Sequence, residues 1–105
     1  MANDAMESTL MLNADHPALA GHFPGHPIVP GVVLLDEALH AIGEARGLSL
    51  ARCKLAATKF LRPVVPPATL VIRHRMVGEA TVDFSIALGD AIVASGRVEM
   101  IEADR

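Results

Sequence analysis

The sequence predicts an α+β fold in which an antiparallel sheet of about five strands wraps one long central helix. Three observations carry this expectation. Val32 to about Arg46 has helical apolar spacing over an unusually broad arc. Five other stretches alternate or run in the manner of short strands. Between the first strand and the helix lies GHFPGHPIVPG, Gly21 to Gly31, where three prolines and three glycines in eleven residues forbid regular structure and leave a rigid, shaped loop.

Taken in order, Met6 to Asn13 mixes Thr, Leu and Met and reads as the first strand, ended by Asn13. Asp15 to Gly21 is a turn or short helical piece. The Pro/Gly loop follows and leads directly into the helix, which ends at Gly47, a plausible C-terminal cap. Leu34, Leu35, Ala38, Leu39, Ala41, Ile42 and Ala45 cover well over half of the helical wheel, so the helix is expected to be largely enclosed. Asp36, His40 and Gly43, with Glu37 and Glu44 further round, fill the remaining sector. Strands are then expected over Leu50 to Leu61, Thr69 to Val77, Thr81 to Leu88 and Ala91 to Ile101. The short links between the last three suit an antiparallel meander.

A chain of 105 residues supplies one hydrophobic core, so residues 1–105 are read as a single domain. At 51% hydrophobic and 20% charged residues it is too apolar for a disordered chain and too evenly interrupted for a membrane span. MANDAMEST carries acids and no Lys or Arg, which argues against a secretory leader, and the expected compartment is the cytoplasm. The single cysteine, Cys53, agrees with a reducing environment and reads as a small buried hydrophobe. A net charge of −3, no Trp or Tyr and three Phe argue against nucleic acid as a partner. One asymmetry stands out: Arg46, Arg52, Lys54, Lys59, Arg62, Arg73 and Arg75 fall between Arg46 and Gly78 with no intervening acid, a candidate docking face.

Chemistry concentrates in one segment. The loop carries His22 to the N-terminus of a buried helix at Gly31 and Val32, and Asp36 sits about one turn inside. A helix N-terminus offers unpaired N–H groups and a partial positive charge to an oxygen that becomes negative. An imidazole takes a proton near neutral pH, and a desolvated carboxylic acid gives one. Each residue alone has a plainer reading: His22 a structural or exposed histidine, Asp36 an acid favoured by the helix dipole, His26 a solvated loop residue. A His22–His26 metal pair is disfavoured by the prolines between them. The weight falls on the combination.

These residues carry a resemblance. HFPGHPIVPGVVLLDEAL resembles the HFPG-x-P-x-x-PG signature, followed by an acid-bearing helix, of the FabZ/FabA-type 3-hydroxyacyl-[acyl-carrier-protein] dehydratases. KFLRPVVPPATL, Lys59 to Leu70, is similar to the family's KFRRPVVPGDTL block. The resemblance implies a hotdog fold and a homodimer joined sheet edge to edge, with active sites at the dimer interface. It also implies dehydration of a 3-hydroxyacyl thioester to the trans-2-enoyl thioester, in fatty-acid or related polyene or polyketide synthesis, with the substrate on the phosphopantetheine of acyl carrier protein and no further cofactor. Within that pattern His22 matches the base, Gly31 the oxyanion donor and Asp36 the acid, base and acid coming from opposite subunits. To act so, the Asp36 carboxyl must be kept protonated, which burial against an acyl tunnel would favour.

Three positions depart from the family pattern. Glu37 stands where Ala is usual, so the acid could also be aligned there, although Asp36 matches without a gap. His40 replaces a Gln that positions the acid or a water, and is grouped with Gly31 and Val32 as a substrate-binding candidate. Pro67 replaces Gly. Arg62, Lys59 and Arg52 are candidates for docking the acidic carrier. The competing expectations are a hotdog thioesterase, against which the HFPG histidine argues, and an inactive acyl-binding subunit in a mixed dimer with a second hotdog chain.

Overall fold

The computed structural model describes residues 4–15, 28–50 and 52–101. Among these residues five strands and one helix follow the expected order: β1 Met6–Leu12, α1 Gly31–Arg46, β2 Cys53–Phe60, β3 Ala68–Met76, β4 Thr81–Leu88 and β5 Ala91–Met100. The strands form one antiparallel sheet in the order β1-β3-β4-β5-β2, so β3 to β5 are the expected meander and β1 and β2 are its edges.

Alternation decides which side chains meet the helix. Leu70, Ile72 and His74 of β3, Val82, Phe84 and Ile86 of β4 and Val98 of β5 are buried on the inner face. The outer face carries charged cross-strand pairs, Glu7 opposite Arg73 and Asp83 opposite Arg97. One extra residue on β5, where the register with β4 shifts between Ile86 and Ala87, allows both Val93 and Ala94 to be buried. A second shift on β2, between Ala56 and Lys59, places Ala57 at φ 52°, the left-handed region that a residue with a side chain enters at a cost.

The helix begins after Pro30, whose fixed φ of −59° suits the entry to a helix and which offers no side-chain cap. It stops at Gly47, which takes the left-handed cap at φ 66° and, together with Leu48, donates its N–H to the Gly43 carbonyl. Leu34, Ala38 and Ile42 pack against the sheet, chiefly over β1 and β3.

Here the expectation of a largely enclosed helix needs correction. Only that face is buried; Val32 on the opposite side is 76% exposed, and Asp36 and His40 share its stripe. The apolar arc is broader than the surface one sheet can cover: Leu35, Leu39 and Ala41 are only half-buried at the edge of the core and Ala45 is exposed. Cys53 likewise is half-buried, and desolvation pushes its thiol above the ordinary value.

Candidate active site

The site begins at the turn into α1. The Val29 N–H donates to the Val64 carbonyl over 2.8 Å, tying the residues before the helix to the link between β2 and β3. Val33 and Leu34 donate back to the Pro30 carbonyl, which leaves the N–H groups of Gly31 and Val32 in the position where a helix has no acceptor of its own. No acid stands in the first turn to offset the positive end of the dipole.

These donors face an open apolar cleft of about 500 Å³, lined by Val32 and Leu35 from the helix and by Phe60, Leu61, Pro63 and Val64 from the other wall. Phe60 is 52% exposed, and its ring covers Gly31 so closely that a Cβ at Gly31 would lie 2.8 Å from Cζ. Arg62 stands on the rim.

Asp36 follows Val32 by one helical turn, about 40° round the axis, whereas Glu37 is turned away from Val32 by about 140°. Asp36 therefore continues the exposed stripe that Val32 begins, and Glu37 lies on the far flank. The Asp36 side chain is 69% exposed, with His40 Nδ1 3.9 Å from its Oδ2. That separation exceeds a hydrogen bond. The expected burial of Asp36 is thus absent from the single chain, because the sheet covers the opposite side of the helix. Asp36, Leu39, His40 and Gly43 instead form the floor of an open groove walled by Gly47 to Leu50.

His22, with the rest of residues 16–27, lies outside the described residues, and so does His26. Among the described residues no cluster of three His, Cys, Asp or Glu could hold a metal ion, and no helix is long and apolar enough to cross a membrane.

The cations do not make the single docking face their spacing suggested. Arg62 is at the helix N-terminal end, whereas Arg52 precedes β2 and its carbonyl accepts from Ile101 at the other end of that strand. Eight residues of β2 separate those ends, about 26 Å of strand. Lys59 is opposite Ser95 on the outer face. Arg73 pairs with Glu7, and Arg46 turns inward, its side chain 7% exposed. A folded chain disperses cations that a linear count groups together.

Sequence reasoning passed over the buried polar side chain of β3. His74 is 1% exposed on the inner face of β3, where it receives the Arg46 Nε–H at Nδ1 over 2.8 Å. Its only advance signal was a histidine in register with Leu70 and Ile72 on a strand.

A five-stranded antiparallel sheet folded over one helix, whose N-terminus opens on an apolar cleft, defines a hotdog-fold protein. The family model described as ApeI dehydratase, of the ApeI-like family, matches residues 1–97. The chain belongs to the ApeI-like dehydratase family. The FabZ 3-hydroxyacyl-[acyl-carrier-protein] dehydratase of Roseiflexus castenholzii is 33% identical over 107 residues, which cover 85% of this chain and 74% of the relative. That of Ehrlichia chaffeensis is 28% identical over 80 residues, covering 71% and 56%. The chain thus spans little more than half the length of some curated relatives. Among solved structures, the dehydratase heterocomplex ApeI:P from Xenorhabdus doucetiae superposes with a TM-score of 0.77 at 25% identity, over 96% of this chain and 90% of that one. The dehydratase domain from the CurF module of curacin polyketide synthase shares the fold, with a TM-score of 0.74 at 16% identity, over 98% and 41%.

Proposed function

We propose that this chain removes water from a 3-hydroxyacyl thioester carried on acyl carrier protein, yielding the trans-2-enoyl thioester for fatty-acid or polyketide-type synthesis. The observation that carries this reading is the uncapped helix N-terminus at Gly31 and Val32, at the head of an apolar cleft, with Asp36 one helical turn beyond Val32.

The thioester carbonyl accepts from the Gly31 N–H, which draws charge off C2 and makes its proton removable. His22 takes that proton. The electron pair forms the C2–C3 double bond as the C3–O bond breaks, and Asp36 protonates the departing hydroxyl, which leaves as water. Val32 helps hold the thioester, and His40, one turn beyond Asp36, helps hold the acid or the departing water. The phosphopantetheine arm runs along the cleft, with Arg62 at its rim for the acidic carrier. No metal or further cofactor is needed for this balance.

The exposed stripe of Val32, Asp36 and His40 suits a second hotdog subunit, which would dry the site and supply His22 from across the interface. A homodimer satisfies this. A mixed pair does also, and the related heterocomplex from Xenorhabdus doucetiae supports it as the alternative.

Incubating the pure protein with a 3-hydroxyacyl carrier and following the product by mass tests the reaction. Loss of one water is expected; loss of the whole acyl group would make the chain a thioesterase, and no change in the presence of a proven dimer would make it an acyl-binding subunit.

A further inference from the structure

Three segments meet at the end of the sheet away from the cleft. The Arg46 guanidinium, in the last turn of α1, donates from Nη1 to both carboxylate oxygens of Asp4 at 3.2 and 3.0 Å. From Nη2 it donates to the carbonyls of Asp4 and His74 at 2.8 and 3.0 Å. Asp4 Oδ2 also accepts the Met76 N–H over 2.6 Å. The remaining guanidinium donor, Nε–H, goes to His74 Nδ1. An arginine has donors only, so Nδ1 must be the acceptor and the ring proton must sit on Nε2, from which it is given to Ser8 Oγ at 3.2 Å.

We propose that this hub is a proton-sensitive latch, holding β1 and the residues before it to the helix only while His74 is neutral. A second proton on the ring would sit on Nδ1 and point at the guanidinium, replacing a hydrogen bond by two cations in contact. Among the described residues, Arg46 from α1 and Asp4 from the N-terminal segment are the charged groups that face the ring; across the sheet its neighbour on β4 is the uncharged Phe84, and Glu7, Arg73, Arg75 and Asp83 belong to the outer face. Burial first, then Arg46, hold the His74 pKa below its ordinary 6.5, against a smaller opposite pull from Asp4. The opened form therefore binds the extra proton. The latch is at full strength above about 6.5 and weakens as the pH falls below it. The Asp4 carboxylate, held below its ordinary 3.8, is lost only in much stronger acid, so the two events separate.

Amide hydrogen exchange over pH 7.5 to 5.5, corrected for intrinsic exchange, tests this on the whole chain. The open population of β1 should rise up to about tenfold per pH unit below 6.5, as release of one proton-linked contact requires, while β4 and β5 keep their protection. His74→Asn keeps an acceptor near Nδ1 and cannot titrate, so it should flatten the β1 dependence, although four other histidines remain. Unchanged β1 exchange in the native chain, or the same pH dependence in His74→Asn, would overturn the latch. If His74→Asn does not fold, ring nitrogen shifts of the native protein decide: titration below 6.5 with the proton on Nε2 supports the latch, and titration at or above 6.5, or a proton on Nδ1, refutes it.

Discussion

The ring of Phe60 lies directly over Gly31, where a methyl group would come within 2.8 Å of Cζ and 2.9 Å of Cε1. The first helical N–H and the cleft wall are thereby held together by the absence of a side chain. Gly31→Ala should push the ring outward into the cleft. Since Phe60 is half-exposed and free to swing, the stability loss in urea should be only about 1 kcal/mol, the low end for overpacking. The larger effect should be a raised KM for thioester substrate, partly restored in Gly31→Ala/Phe60→Leu. An unchanged KM would show that the cleft is not the substrate path.

Asp36 and Glu37 can be separated by charge-neutral replacement. Asp36→Asn should abolish dehydration, at least a hundredfold, the low end of what a positioned proton donor contributes. Glu37→Gln, on the flank away from Val32, should keep most of the activity. Equal losses in the two, measured as kcat/KM by product mass, would move the acid to Glu37 or to neither.

If the site combines two chains, His22→Ala and Asp36→Asn should each be inactive, and mixing them should restore activity in hybrid dimers that hold one intact site. Removing both from the same chain should cost little more than one, since they act on the same step. Absence of recovery despite subunit exchange, followed by native mass spectrometry, would place both residues within one subunit.

Arg62 should matter for the carrier and not for the bond being broken. Arg62→Glu should raise KM for the carrier-bound substrate several-fold, with the difference shrinking as salt rises, because an exposed charge acts mainly on encounter. A short pantetheine thioester should turn over nearly normally. Lys59→Glu and Arg52→Glu should have smaller effects, because one faces the outer sheet and the other lies at the far end of β2.

Ile42 has no exposed surface and lies in the fourth turn of α1, against the sheet. Ile42→Ala should cost about 2–5 kcal/mol in urea unfolding, the range for removing a buried branched side chain. Val32→Ala, at 76% exposure, should cost under about 0.5 kcal/mol in the separated chain. A much larger cost for Val32→Ala in the assembled protein would reveal the surface a partner covers.

The order of elements was legible from local pattern alone. The residue-by-residue alternation in β3 and β4, the apolar spacing of α1 and the glycine that ends it at Gly47 are short-range features, and short-range features are what a linear reading can see. HFPGHPIVPG and the acid in the helix likewise marked the candidate site, because that chemistry is carried within one continuous segment. Tertiary structure decided what depends on residues distant in the chain. It brought Phe60 onto Gly31, set Asp36 on the floor of a separate open groove, and left the Asp36 stripe uncovered because one sheet reaches only one side of a helix. It also turned Arg46 from a member of a basic run into the centre of a buried hub with Asp4 and His74, separated from it by 42 and 28 positions. No periodicity encodes such a contact: a buried cation is stable only where particular acceptors converge, and the fold alone makes them converge.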